Sequence, residues 1–219
     1  MTEVGRGDPH ERLIRSLAED LTPVERLRPP AMRAAVWLGL VAAIAAALAC
    51  FSDLSAVAQR LIAAPDLWLA VTGSTLTAGL AAIAAFELSL PDRKPMWAVL
   101  PAPGVLMWVG ASGLGCLRSW LVPGTHDASL AEAKDCFLFI VGLSIPLSVA
   151  LFVMLRRACP LQPGLTAAVG GVAVAAAAAT LLNFFHPYDA AATDIIVHII
   201  AIAAVVAANR VLADRFLEG

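Results

Sequence analysis

Residues 136–155 read CFLFIVGLSIPLSVALFVML, twenty positions without a charged side chain. At 1.5 Å per residue a helix of that length extends about 30 Å, the thickness of a bilayer's hydrocarbon core. The apolar run is continuous rather than alternating, which fits a spanning helix and not a barrel strand. Pro146 is expected to kink it. Outward from this stretch, five more apolar runs occupy 34–51, 67–90, 96–121, 165–185 and 193–212. Their separators are short and rich in breakers: Pro65-Asp66, Pro91-Asp92-Arg93-Lys94-Pro95, Pro123-Gly124 and Pro160-Leu161-Gln162-Pro163-Gly164.

The composition agrees. Of 219 residues, 60% are apolar and 15% charged, with a mean hydropathy of +0.81. A soluble domain sits near 45–50% apolar and about 25% charged. Disorder, collagen, a disulfide-rich scaffold and a soluble enzyme are therefore disfavoured together. A net charge of −2 supplies no basic field for nucleic acid. The four cysteines form no C-x-x-C pair, which removes a zinc ribbon or a thioredoxin-like motif. The expected fold is an all-α integral membrane protein, with six transmembrane helices in a bundle over 34–219. A polar segment, residues 1–33, precedes it and lacks the early apolar region of a signal peptide.

Lys and Arg set the orientation. With the N-terminus inside, the inner segments hold Arg6, Arg12, Arg15, Arg26, Arg28, Arg33, Arg93, Lys94, Arg156, Arg157, Arg210 and Arg215. Only Arg60, Arg118 and Lys134 fall outside, a split of 12 to 3. Both termini are expected in the cytoplasm. Gly73, Gly79, Gly110, Gly113, Gly115, Gly142, Gly170 and Gly171 are expected to let helices pack closely.

Within the polar segment, Asp8-Pro9-His10-Glu11 has the form of a helix start. Leu13, Ile14, Leu17 and Leu21 follow at helical spacing and make one apolar face. A helix of about 13 residues is marginal alone in water, so that face needs something to pack on. The bilayer surface, the chain's own inner loops and a cytosolic partner with an apolar groove are the three candidates. Glu11, Glu19 and Asp20 offset Arg12 and Arg15, a poor match to anionic lipid.

The order of these features resembles the negative-regulator-of-sigma-F family of bacterial inner-membrane anti-sigma factors. The likeness rests on LIRSLAEDLTPVERLRPP at 13–30, on CFLFIVGLSIPL opening the fourth span, and on LRRACPLQPG between spans four and five. It implies a non-enzymatic protein whose N-terminal helix, around Leu13, Ile14, Leu17 and Leu21, sequesters an extracytoplasmic-function sigma factor. It also implies release of that factor by metal or oxidant sensed at the outer face. The family's first outer-side cysteine would be Cys136. Its second follows a histidine at the end of span five, where this chain has His186 and then Pro187.

The outer face carries further chemistry under this topology. Cys50, Cys116 and Cys136 lie near the outer ends of their spans, with His126, Asp127, His186, Asp189, Asp194 and His198 on the same side. Asp194 and His198 are four apart, hence on one helix face. Thiolate with imidazole suits Zn²⁺, Cd²⁺ or Cu(I), and a thiolate is also oxidisable. Cys136 is thus the expected sensor, with Cys116 or Cys50 as its partner and His186 tuning it. Cys136, His186, Asp194 and His198 are candidate ligands for a transient heavy-metal ion; no resident cofactor is expected. The plainer alternative is that Cys50 and Cys116 are small buried apolar residues.

Two rivals use other features. Gly110-Ala111-Ser112-Gly113 matches the G-x-S-G of rhomboid intramembrane serine proteases, with His198 as the candidate base. Their depths differ by roughly 6 Å at 1.5 Å per residue, and the glycines expected after the histidine are replaced by Ile199-Ile200-Ala201. A small-solute or metal transporter would use Thr72, Ser74, Thr75 and Thr77 in span two, but these hydroxyls are expected to bond back to their own helix.

Overall fold

The computed structural model describes residues 9–19, 21, 26–63, 65–121, 130–158, 160–185 and 192–217. These residues are helical nearly throughout: α1 (Pro9–Glu19), α2 (Pro30–Ala49), α3 (Leu54–Ala63), α4 (Pro65–Leu88), α5 (Ala102–Leu121), α6 (Leu130–Leu155), α7 (Pro163–Leu182) and α8 (Ala192–Leu217). Six helical segments, beginning at Pro30, Pro65, Pro95, Lys134, Pro163 and Ile196, are long and apolar enough to cross a membrane.

The bundle is organised around α4 and α7. These two pack on each other; α5 and α2 lie against α4, while α8 and α6 lie against α7 and touch one another. Fourteen of the twenty residues of α7 are buried, among them every alanine from Ala175 to Ala179. A helix clad in alanine is a thin cylinder, so neighbours approach it on several sides. By contrast only Arg33, Ala34 and Trp37 of α2 are buried, so α2 is peripheral.

Two expectations about the spans are corrected. The run 96–121 is not one helix: Pro95–Val99 forms a 3₁₀ turn and α5 begins at Ala102. Pro101 and Pro103 have no N–H to continue a helical ladder, and Pro103 is tolerated in the first turn of α5, where no donor is needed. Secondly, the connection between the first two spans contains α3. Asp53 starts it, accepting from the amides of Ser55 (3.0 Å) and Ala56 (3.1 Å) and from the Ser55 hydroxyl (2.6 Å). The Ser55 hydroxyl bond, then the Ala56 amide, holds the Asp53 carboxyl below its ordinary range. The cap is therefore in place at neutral pH and is lost only as acid protonates the carboxylate. Arg60 of α3 donates to the Asn183 carbonyl at the C-terminal end of α7 (3.3 Å).

The glycines divide into two kinds. A Cβ at Gly73 would stand 2.5 Å from the Trp108 nitrogen, and one at Gly104 would stand 2.8 Å from the Thr77 nitrogen. Gly73 and Thr77 on α4 thus oppose Trp108 and Gly104 on α5, an antiparallel backbone-to-backbone contact. Gly170 faces Leu151 and Gly171 faces Val206, and a Cβ at Gly115 would meet the Asp66 carboxylate. Gly79, Gly110, Gly113 and Gly142 have open space instead, so packing does not account for them.

At one end of the bundle a buried cation ties three helices together. Arg33, 6% exposed, donates to the Ser89 hydroxyl (3.1 Å) and to the Met154 carbonyl, and its guanidinium lies 4.8 Å from the centre of the Phe86 ring. Met154 is in the last turn of α6, whose carbonyls lack helical partners, so Arg33 acts as a cap in trans. Trp37, one turn along, donates to the Leu147 carbonyl (3.2 Å). The Thr166 hydroxyl of α7 reaches the Leu88 carbonyl at the end of α4 (3.3 Å). Arg33→Met is expected to lose about 2–3 kcal/mol, because it leaves the Met154 carbonyl without its donor and takes one of two bonds from the Ser89 hydroxyl, which keeps its bond to Phe86; a lowered thermal midpoint of the purified protein is the check.

Candidate partner-binding and sensing sites

The four apolar residues of the N-terminal stripe stand in the open. Leu13 is 56%, Ile14 66%, Leu17 60% and Leu21 76% exposed. Every residue from His10 to Glu19 is exposed, so α1 does not pack into the bundle. Leu21 lies just past the end of α1, its amide donating to the Ala18 carbonyl (3.4 Å). Packing on the chain's own loops, one of the three expected solutions, is not what the described residues adopt.

At the other end, Cys136 is 4% exposed and sits in an apolar cluster with Ile140, Ala178, Leu182 and Ala201. α6 begins at Leu130, six residues before the apolar run, so Cys136 lies inside the helix rather than at its start. Lys134 and Asp135 beside it are exposed. The tilted rings of Phe139 and Phe185, 5.8 Å apart, continue the contact between α6 and the end of α7. Cys50, which the plainer alternative would bury, is exposed; its thiol donates to the Ala46 carbonyl (3.4 Å).

Other candidate residues fall at the edge of what is described. Cys116 lies on α5 and Asp194 on α8, but only their backbone is described. His198, one turn after Asp194, is half-buried on α8. His126, Asp127, His186, Pro187 and Asp189 lie outside the described residues. Among the described residues no three His, Cys, Asp or Glu side chains come together as a metal site.

The hydroxyls of α4 that a transporter would use are bonded within the protein. Thr72, Thr75 and Thr77 donate back to Trp68, Val71 and Gly73 at 2.7–2.8 Å, and Ser74 bonds to Thr180 of α7 at 2.8 Å. Arg93 Nε lies 3.0 Å from Glu87 Oε2, an ion pair by distance whose N–H does not point at the oxygen. Sequence reasoning missed the Arg33 hub and the bond from Asn209 of α8 to Ser148 of α6 (3.0 Å). Arg33 was legible only as one more inner charge, although its place four residues into an apolar helix was a signal that it needs buried partners.

Among the described residues, an all-helical bundle with six helices of membrane-spanning length, preceded by an amphipathic helix whose apolar stripe is exposed, defines a multi-pass type of chain. No curated protein and no solved structure matches it. The family described as negative regulator of sigma F matches residues 17–218, nearly the whole chain, and the protein belongs to that family. Membership makes it a regulatory anti-sigma factor, with a sigma factor as its partner.

Proposed function

We propose that the protein holds an extracytoplasmic-function sigma factor at the bacterial inner membrane through Leu13, Ile14, Leu17 and Leu21, and releases it when Cys136 meets a heavy metal or an oxidant. The observation that carries this reading is the unpartnered stripe of α1, standing off a bundle that has no use for it. An apolar helix face presented to the cytosol suits a groove on a partner, anchored at positions four apart. The arginine-rich end is placed inside by the excess of Lys and Arg, which leaves both termini cytoplasmic.

The same placement puts Cys136 toward the outer end of α6 and Met154 at its inner end. The eighteen helical steps from one to the other span about 27 Å. Arg33 holds the Met154 carbonyl and begins the span that follows the α1 segment. A change at Cys136 that shifts α6 along its axis therefore pulls on the root of the partner-binding segment. Reversing a switch from mostly off to mostly on takes up to about 5.5 kcal/mol, which a metal–thiolate bond is strong enough to supply.

The test is co-purification from the native host with and without residues 1–30, partners being identified by mass spectrometry. A sigma factor held by the full chain and lost on truncation is expected; its absence from both samples sinks the reading. Cys136→Ser is expected to abolish induction of the regulon by metal or oxidant while leaving sequestration intact. Unchanged induction in a reporter strain removes Cys136 from the mechanism.

A further inference from the structure

Four arginines converge on one cavity at the inner end. Arg26 and Arg28 come from the segment before α2, Arg33 from its first turn, and Arg157 from the 3₁₀ turn after α6. The cavity they line has a volume of about 670 Å³, and no carboxylate is among its walls. Arg33 is buried and committed to Ser89 and Met154. Arg26, Arg28 and Arg157 are exposed, and among the described residues none of them makes an ion pair. Like charges gathered around one space repel unless an anion joins them.

The remaining wall is apolar and open. Val36 of α2 and Val153 of α6 line the cavity and are about half exposed, at 51% and 45%. The site therefore offers guanidinium groups at one side and an apolar cleft between two membrane-length helices at the other. A free inorganic anion or a nucleotide would use only the first half. A phosphate that carries hydrocarbon chains uses both.

We infer that this cavity is a binding site for the phosphate headgroup of an anionic phospholipid of the inner leaflet, with its chains lying along Val36 and Val153. The inference rests on the membrane placement proposed above. It adds a ligand that joins the α1-bearing segment, through Arg26 and Arg28, to the end of α6, through Arg157. Guanidinium recognises phosphate by paired N–H donors, which suits the three exposed arginines to a phosphate headgroup. The phosphate would bridge the two segments without displacing Arg33 from its buried partners.

The test uses the full-length protein in nanodiscs, with spin-labelled phosphatidylglycerol or phosphatidylcholine as the probe and the immobilised lipid fraction as the readout. The wild type is expected to prefer phosphatidylglycerol. Arg28→Gln with Arg157→Gln is expected to lower that preference by roughly 25-fold, about fivefold for each arginine. These side chains are exposed, so a size-exclusion profile like the wild type's is expected as the folding control. Arg210→Gln with Arg215→Gln, on α8 outside the cavity, is expected to leave the preference intact. Equal affinity for the two lipids in the wild type, or equal loss in both double variants, overturns the site. Tight retention of inorganic phosphate by delipidated protein in a neutral detergent, lost in the Arg28/Arg157 variant, reassigns the site to a soluble anion and overturns the lipid. Alkaline carbonate extraction of the chain from membranes would defeat the membrane placement itself, an outcome separate from any lipid preference.

Discussion

Replacing Leu13 and Leu17 together with aspartate is expected to abolish capture of the sigma factor while leaving the bundle unchanged. Each leucine, once covered by a partner, contributes about 1.5–3 kcal/mol through burial. Loss of both therefore costs about 3–6 kcal/mol, or roughly a hundred- to ten-thousandfold in affinity. Both residues are more than half exposed in the free protein, as α1 is exposed from His10 to Glu19. Stability should thus stay at the wild-type value, which separates lost binding from lost folding. Arg15→Gln, on the opposite side of the same helix, is the control and should retain binding. Pull-down of the sigma factor by detergent-purified variants, alongside their thermal midpoints, reads both quantities.

Gly73→Leu should prevent assembly of the bundle. The Cβ alone would stand 2.5 Å from the Trp108 nitrogen and 2.8 Å from its Cα, atoms of a helix backbone that cannot rotate out of the way. The reciprocal contact of Gly104 on Thr77 holds the two helices at the same separation one turn along. Gly73→Ala already overpacks this seam, at a cost of about 1–3 kcal/mol. A leucine adds three more carbons, and α5 must leave α4 to admit them. Loss of the monodisperse peak in fluorescence-detected size exclusion is the expected result. Gly110→Leu, at a position on α5 with nothing within 4 Å, should elute like the wild type. If Gly73→Leu does so as well, the close approach of α4 and α5 is wrong.

Hydropathy made the six long helices legible because each must supply its own apolar length. It failed where length was not the deciding quantity. α3 is ten residues long and carries Arg60, so it fell below the spanning pattern; its Asp53-Leu54-Ser55 start was the available signal. The prolines at 101 and 103 lie in apolar sequence and leave the hydropathy untouched, yet they end one helical turn and begin another helix. Small residues were recognised as packing elements, but which face of a helix meets a neighbour is decided by the partner. Gly73 and Gly79 look alike in sequence and differ completely in surroundings.

The sites show the same division. The spacing of Leu13, Ile14, Leu17 and Leu21 was readable as an apolar face, since helical period depends only on sequence. That the bundle leaves it uncovered was not. Cys136 was readable as a thiol near the start of a span, whereas its burial against Ala178 and Ala201 depends on α7 and α8. The arginine cavity unites residues 26, 28, 33 and 157, and no local pattern connects the first three with the last.

The bonds that fasten α2 have a consequence for the order of events during synthesis. Trp37 and Arg33 find their acceptors on Leu147 and Met154, 110 and 121 residues further along the chain. At about 5–20 residues per second, Arg33 waits roughly 6–24 s for its acceptor to be made. For most of that interval α1 is outside the ribosome, and it needs nothing from the later helices to present its apolar face. The nascent chain is therefore able to take up its partner before the contact of Arg33 with the end of α6, through which release is proposed to act, is made.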